Sequence, residues 1–146
     1  MKTSPWLVLG GLLSGAAAVL HLAVIAGGPA WYRFFGAGEA MARMAEHGRL
    51  TPHLITVGIA AILAAWSAYA FAGAGLIRRL PLMRTALVAI TAIYLLRGLV
   101  IVPALLREPA TRDAFTIWSS LIVLVYGIAY ALGTWRAWPA LSRTPA

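Results

Sequence analysis

The sequence contains no cysteine, no asparagine and no glutamine. Without Cys there is no disulfide, no thiolate metal site and no thiol redox centre. Without Asn and Gln, polar contacts inside the fold must come from Ser, Thr, Tyr, His, Arg and the backbone. Charge is also scarce: 11% of the 146 residues are charged and 62% are hydrophobic. A water-soluble domain carries roughly a quarter charged residues because its surface must be solvated. The bilayer is the solvent in which the present composition is reasonable. Acidic charge is the scarcest of all, with 4 Asp and Glu against 12 Lys and Arg and a formal net charge of +8. Nucleic-acid binders gather their bases on one face, whereas these lie in short clusters between apolar runs. Nucleic acid is excluded as a partner, and membrane lipids with anionic head groups are the expected counter-charge.

What is present is long apolar runs. Crossing ~30 Å of hydrocarbon takes about 20 helical residues, and four stretches qualify: Trp6 to Ala26, Leu54 to Ala74, Ala86 to Leu106 and Ala114 to Thr134. The first exceeds a signal-peptide core in length and is read as a retained span. The N-terminus, second loop and C-terminal tail hold Lys2, Arg78, Arg79, Arg84, Arg136 and Arg143 with no acid among them. The first and third loops hold Arg33, Arg43, Arg49, Arg107 and Arg112 with all four acids, Glu39, Glu46, Glu108 and Asp113. The acid-free side is assigned to the cytoplasm, which puts both termini inside. Trp6, Trp135 and Trp138 would then sit at the inner boundary and Trp31 and Trp118 near the outer one.

Short connections containing Pro81 and Pro109 make consecutive spans antiparallel neighbours. The longer first loop is expected to carry an interfacial helix over Ala37 to His47. Met41 and Met44 would face lipid or the bundle, with Glu39 and Arg43 paired on the other side. Thr51 and Pro52 read as the N-cap and first position of the second span. Helical stripes mark the faces that pack. They are Gly11, Ser14, Ala18 and His21; His53, Thr56, Ala60, Ala64 and Ser67; Ile90, Tyr94, Arg97 and Ile101; and Asp113, Thr116, Ser120, Gly127, Tyr130 and Thr134.

Arg97 is the residue that composition does not explain. It lies about eleven residues, or ~16 Å, into a ~30 Å span. An unpaired Arg at that depth costs several kcal/mol. It therefore requires a cavity, a partner or a bound anion. Tyr94, Tyr130 and Ser120 are the nearest candidate partners, with water and the carbonyls near Pro103. All three histidines fall toward the outer side with the acids. Glu46, His47 and His53 are suitable metal ligands by type, but their spacing matches no zinc pattern. A haem between His21 and His53 would need the two at one depth, which their positions do not give. Ser14 and His21, seven residues apart on one helix, are ~10 Å apart and form no dyad.

These features specify an all-α integral membrane protein: an antiparallel four-helix transmembrane bundle, one domain over residues 1–146, with an interfacial helix in the first loop. The expected function is binding of a polar-headed, anionic, hydrophobic small molecule in a pocket open to the outer leaflet. Arg97 would hold the head group and His21, Tyr94 and Tyr130 would shape the pocket. Two alternatives belong to other classes. One is a membrane enzyme using outer-side His and carboxylates for acid–base or metal chemistry. The other is an accessory subunit of a homo-oligomer or larger transport complex.

Overall fold

A computed structural model describes residues 4–99, 102 and 114–141. Among the described residues there are five helices and no strand. They are α1 (Pro5–Phe34), α2 (Glu39–Glu46), α3 (Thr51–Gly73), α4 (Met83–Leu99) and α5 (Ala114–Leu141). By length and composition α1, α3 and α5 are each able to cross a membrane. The expected third span, 86–106, lies partly outside the described residues; α4 covers 17 residues from Met83, about 26 Å of helix.

The helix ends correct the sequence-based boundaries. α1 does not stop at Ala26. Gly28 takes φ 68°, ψ −156°, and the chain resumes helix at Pro29 and continues to Phe34. Only glycine adopts that backbone cheaply, and a proline suits the first position of a new turn because it has no N–H to leave unpaired. The run Gly27-Gly28-Pro29 is thus a kink and not a terminus. α3 also begins earlier than expected, since the Leu50 carbonyl accepts the Leu54 N–H at 3.0 Å. Leu50 is therefore the capping position, and Thr51 and Pro52 fill the first turn. α5 runs past Thr134 to Leu141 with Pro139 inside it.

The chain divides into two compact units. Unit 2, Gly15–Ala65, contains most of α1, all of α2 and the first part of α3. Its core is Val24, Tyr32 and Ala42, with Phe35, Met41 and Ala45 packed against it. The apolar side of α2 therefore lies on the end of α1. Its polar side carries the expected pair, with Arg43 Nε 3.1 Å from Glu39 Oε1.

Unit 1 joins Met1–Ser14 to Trp66–Ala146. Its contacts fix the direction of each segment. Ser67 Oγ donates to the Gly11 carbonyl at 2.7 Å, and Gly73 lies against Leu7 and Leu87. Gly133 also lies against Leu7, Gly10 against Tyr130, Gly127 against Leu95 and Gly98 against Leu124. As one helix advances its partner retreats: Leu7 and Gly11 meet Gly73 and Ser67, Leu7 and Gly10 meet Gly133 and Tyr130, Leu87 and Tyr94 meet Gly73 and Trp66, and Leu95 and Gly98 meet Gly127 and Leu124. Within this unit α1 therefore runs antiparallel to α3 and α5, and α4 does the same. The α4–α5 approach is closest at Gly98, where an added Cβ would stand 2.8 Å from the Leu124 Cα. No side chain fits there.

Most of the expected packing stripes are buried. Ser14, Ala18, Thr56, Ala60, Ser67, Ile90, Tyr94, Ser120, Tyr130 and Thr134 all face inward. Leu63 takes the buried place expected for Ala64, which is exposed. Arg97 also departs from its stripe and is exposed; Gly98 is the buried position beside it. The buried face of α4 runs through Leu87, Ile90, Tyr94 and Gly98. At about 100° per residue, Arg97 stands roughly 65° off its centre line. Ile101 and Asp113 lie outside the described residues.

Candidate functional site

Three buried hydroxyls meet in the core of unit 1. Ser14 Oγ lies 2.8 Å from the Tyr94 hydroxyl and 2.9 Å from that of Tyr130. The Tyr130 hydroxyl in turn donates to the Trp66 carbonyl at 3.0 Å. Each hydroxyl has one proton to give, so the direction of the chain is determined. Tyr130 spends its proton on the carbonyl and must accept from Ser14. Ser14 is then without a proton for Tyr94, and Tyr94 must donate to Ser14. The order is Tyr94 to Ser14 to Tyr130 to the Trp66 carbonyl. Rings enclose it: Trp66 meets Tyr94 edge-on at 4.9 Å, and Tyr126 and Tyr130 each lie 5.4 Å from Tyr94. All three protons are committed. Tyr94 and Tyr130, expected to shape a ligand pocket, have no hydroxyl proton to offer a ligand. Their work is to join α1, α3, α4 and α5.

One helical turn from Tyr94 stands Arg97. Its Nη1 donates to Ser120 Oγ at 3.2 Å, and Ser120 is buried at 1% exposure. Among the described residues this is its one hydrogen bond, and they leave the rest of the guanidinium fork without a partner. Exposed Ile93, Leu96 and Leu99 lie along the same helix. The sequence calls for a cavity, a partner or a bound anion at Arg97, in a pocket open to the outer leaflet. The described residues give instead an open, apolar surface with one anchored guanidinium in it. Among the described residues of unit 1 there are five arginines (78, 79, 84, 97 and 136) and no Asp or Glu.

His21 belongs to unit 2. Its half-buried ring bonds the Ala17 carbonyl through Nδ1 at 2.7 Å, so Nδ1 carries the proton. Its imidazole is held to its own helix. His47 is held the same way, with Nδ1 2.7 Å from the Arg43 carbonyl. His53 Nδ1 is buried with no hydrogen-bond partner among the described residues, and its ring meets Tyr32 edge-on at 6.1 Å.

The residue sequence reasoning missed is Arg33. Its Nε and Nη2 grip both Glu39 oxygens at 2.9 and 3.0 Å, and Nη2 reaches Glu46 at 2.8 Å. The glycines at 36 and 38, with φ of 69° and 93°, turn the chain so that α2 comes back beneath Arg33. The hydrogen bonds from Arg33, then from Arg43, hold the Glu39 carboxyl down to about 2. Both described acids of the first loop are thus ion-paired and not available as general acids. Among the described residues no three His, Asp or Glu converge as a metal site. The set Glu46, His47 and His53 is not assembled: Glu46 answers Arg33, and His47 answers its own helix. Glu108 lies outside the described residues.

Compared with known protein families, curated proteins and solved structures, the chain matches none.

Proposed function

We propose that the chain is a four-span inner-membrane protein with both termini in the cytoplasm. Its helices form an antiparallel bundle with α2 at the outer interface, and it holds the anionic head of an amphiphilic molecule at Arg97. The observation that carries this reading is the exposed Arg97 guanidinium, anchored by one bond to buried Ser120. α4 runs antiparallel to both α3 and α5, which supports a crossing by α4 of the bilayer that those two cross. On that geometry Arg97 lies about 21 Å from Met83 along α4. Through Ser120 it lies about 9 Å from the start of α5. Together these distances equal the ~30 Å of a hydrocarbon core. A guanidinium two-thirds of the way across, open to lipid and without a carboxylate among the described residues of its unit, is costly unless an anion meets it. A phosphate or carboxylate head group can accept two parallel N–H bonds from the open fork, while its chains lie along exposed Ile93, one turn earlier on the same side of α4.

The exposure of Arg97 favours one second reading. A carboxylate on another membrane chain would satisfy the same fork, as in an accessory or oligomeric subunit. The enzyme alternative has less behind it, because Glu39 and Glu46 are tied to Arg33. Native mass spectrometry of gently purified protein separates the readings. A retained anionic amphiphile at one per chain supports the binding reading. A stable oligomer free of such a ligand would replace it with the subunit reading.

Orientation has its own test, made clean by the absence of Cys. An impermeant thiol reagent applied to intact cells should label Ala37→Cys and should reach Leu82→Cys only after permeabilisation. The reverse pattern would invert the orientation. Labelling of both from one side would show that α3 does not cross.

A further inference from the structure

The other four described arginines of unit 1 gather at one end of it. Arg79 donates to the Ala140 carbonyl at the end of α5. The Arg84 guanidinium lies 4.6 Å over the Trp138 ring and that of Arg136 lies 5.6 Å over Trp6. Arg78 adjoins Arg79 in the same connection. These contacts draw together the start of α1, the α3–α4 connection and the end of α5. The charge there is compact, fourfold and unopposed by any acid among the described residues of the unit.

Several features say what kind of anion suits this end. A guanidinium stacked on an indole has its face satisfied while its N–H edge points outward, in the plane that suits a phosphate. Arg84 Nε is buried and has no hydrogen-bond partner among the described residues. Arg84 also sits in the first turn of α4, where the helix dipole already adds positive charge and an anion is favoured. Around the bases, Leu76, Ile77, Leu82 and Trp135 are exposed, Leu82 at 76% and Trp135 at 74%. A soluble acidic partner would leave those apolar side chains in water. A lipid places its phosphate at the height of the indoles and its chains against the leucines.

We infer that this end of unit 1 is a binding site for a net-anionic glycerophospholipid, whose phosphate is taken by the edges of Arg84 and Arg136. The site is separate from Arg97 and independent of the ligand proposed there.

The probe is phosphatidylglycerol mixed with phosphatidylcholine in nanodiscs holding the full chain. Lipid that stays bound after gentle extraction is counted by native mass spectrometry. Wild type should retain phosphatidylglycerol over phosphatidylcholine by about thirtyfold, the size two interfacial bases confer. Raising the salt from ~0.05 to ~0.5 M should erode that preference, since screening weakens interfacial charge pairing. The double variant Arg84→Gln, Arg136→Gln should lose most of it, while Arg49→Gln in unit 2 should keep it. Should the double variant not fold, the salt dependence of the wild type decides. Equal retention of the two lipids overturns the inference, and so does a preference that salt or the double variant leaves unchanged. Binding of an acidic peptide or nucleic acid in place of lipid would overturn it as well.

Discussion

Tyr94 donates its hydroxyl proton to Ser14 across 2.8 Å, and it does so because Ser14 has already given its own proton to Tyr130. That order makes the three residues unequal. Tyr94→Phe removes the first donor and orphans no proton. Ser14→Ala strands the Tyr94 O–H, and Tyr130→Phe strands the Ser14 O–H, each in a buried site. An orphaned buried donor costs about 1–3 kcal/mol. Unfolding in detergent micelles should therefore rank Tyr94→Phe as the mildest of the three. If Tyr94→Phe were the most damaging, the direction derived for the chain would be wrong.

A pair of glycines tests the packing. Gly98→Ala would push a methyl to 2.8 Å from the Leu124 Cα and 2.9 Å from its N. Backbone cannot give way as a side chain can, and overpacking of this kind costs about 1–3 kcal/mol. Nothing lies within 4 Å of a Cβ added at Gly58, which sits inside α3. Gly58→Ala should be neutral or stabilise by up to about 1 kcal/mol from helix propensity. The same unfolding assay reads both, and equal effects would contradict the close α4–α5 approach.

The ion pairs of Arg33 set a pH dependence. The Glu39 carboxyl is held down to about 2 from the ordinary 4.5. A carboxyl depressed by folding adds stability above its unfolded value and loses it as pH falls through the folded one. The attachment of α2 to α1 should accordingly be intact above about pH 4.5 and weaken between there and about 2. Carboxyl-carbon NMR of the labelled protein should show Glu39 titrating near 2, and nearer its ordinary value in Arg33→Gln. A wild-type midpoint near 4.5 would show that the clamp is not formed in solution.

The sequence made some of this legible and withheld the rest for identifiable reasons. Apolar runs located three of the long helices, because hydrocarbon length is a simple count. The stripes located the buried hydroxyls, since Ser14, Tyr94, Ser120 and Tyr130 recur at helical spacing. Spacing alone could not say that the tyrosine protons were already committed, because that depends on which carbonyl lies opposite Tyr130. The Arg33 clamp was illegible for a similar reason. It joins residues six and thirteen apart through two glycines of positive φ, and neither spacing is a helical one. Arg97 was placed with Tyr94 on one face, but three residues turn a helix about 60° short of a full circle. That shortfall puts Arg97 at the edge of the buried face, and an edge position is decided by packing.

The central proposal is that Arg97 grips an anionic head group, and two substitutions compared by native mass spectrometry test it most directly. Arg97→Met keeps the length and removes both the charge and the cost of desolvating it, so the variant should fold. Arg97→Lys keeps the charge but lacks the fork that makes two parallel hydrogen bonds. The expected result is a folded Met variant without the co-purifying anionic amphiphile and a Lys variant that restores only part of it. A folded Met variant that retains the full complement of ligand would contradict the proposal.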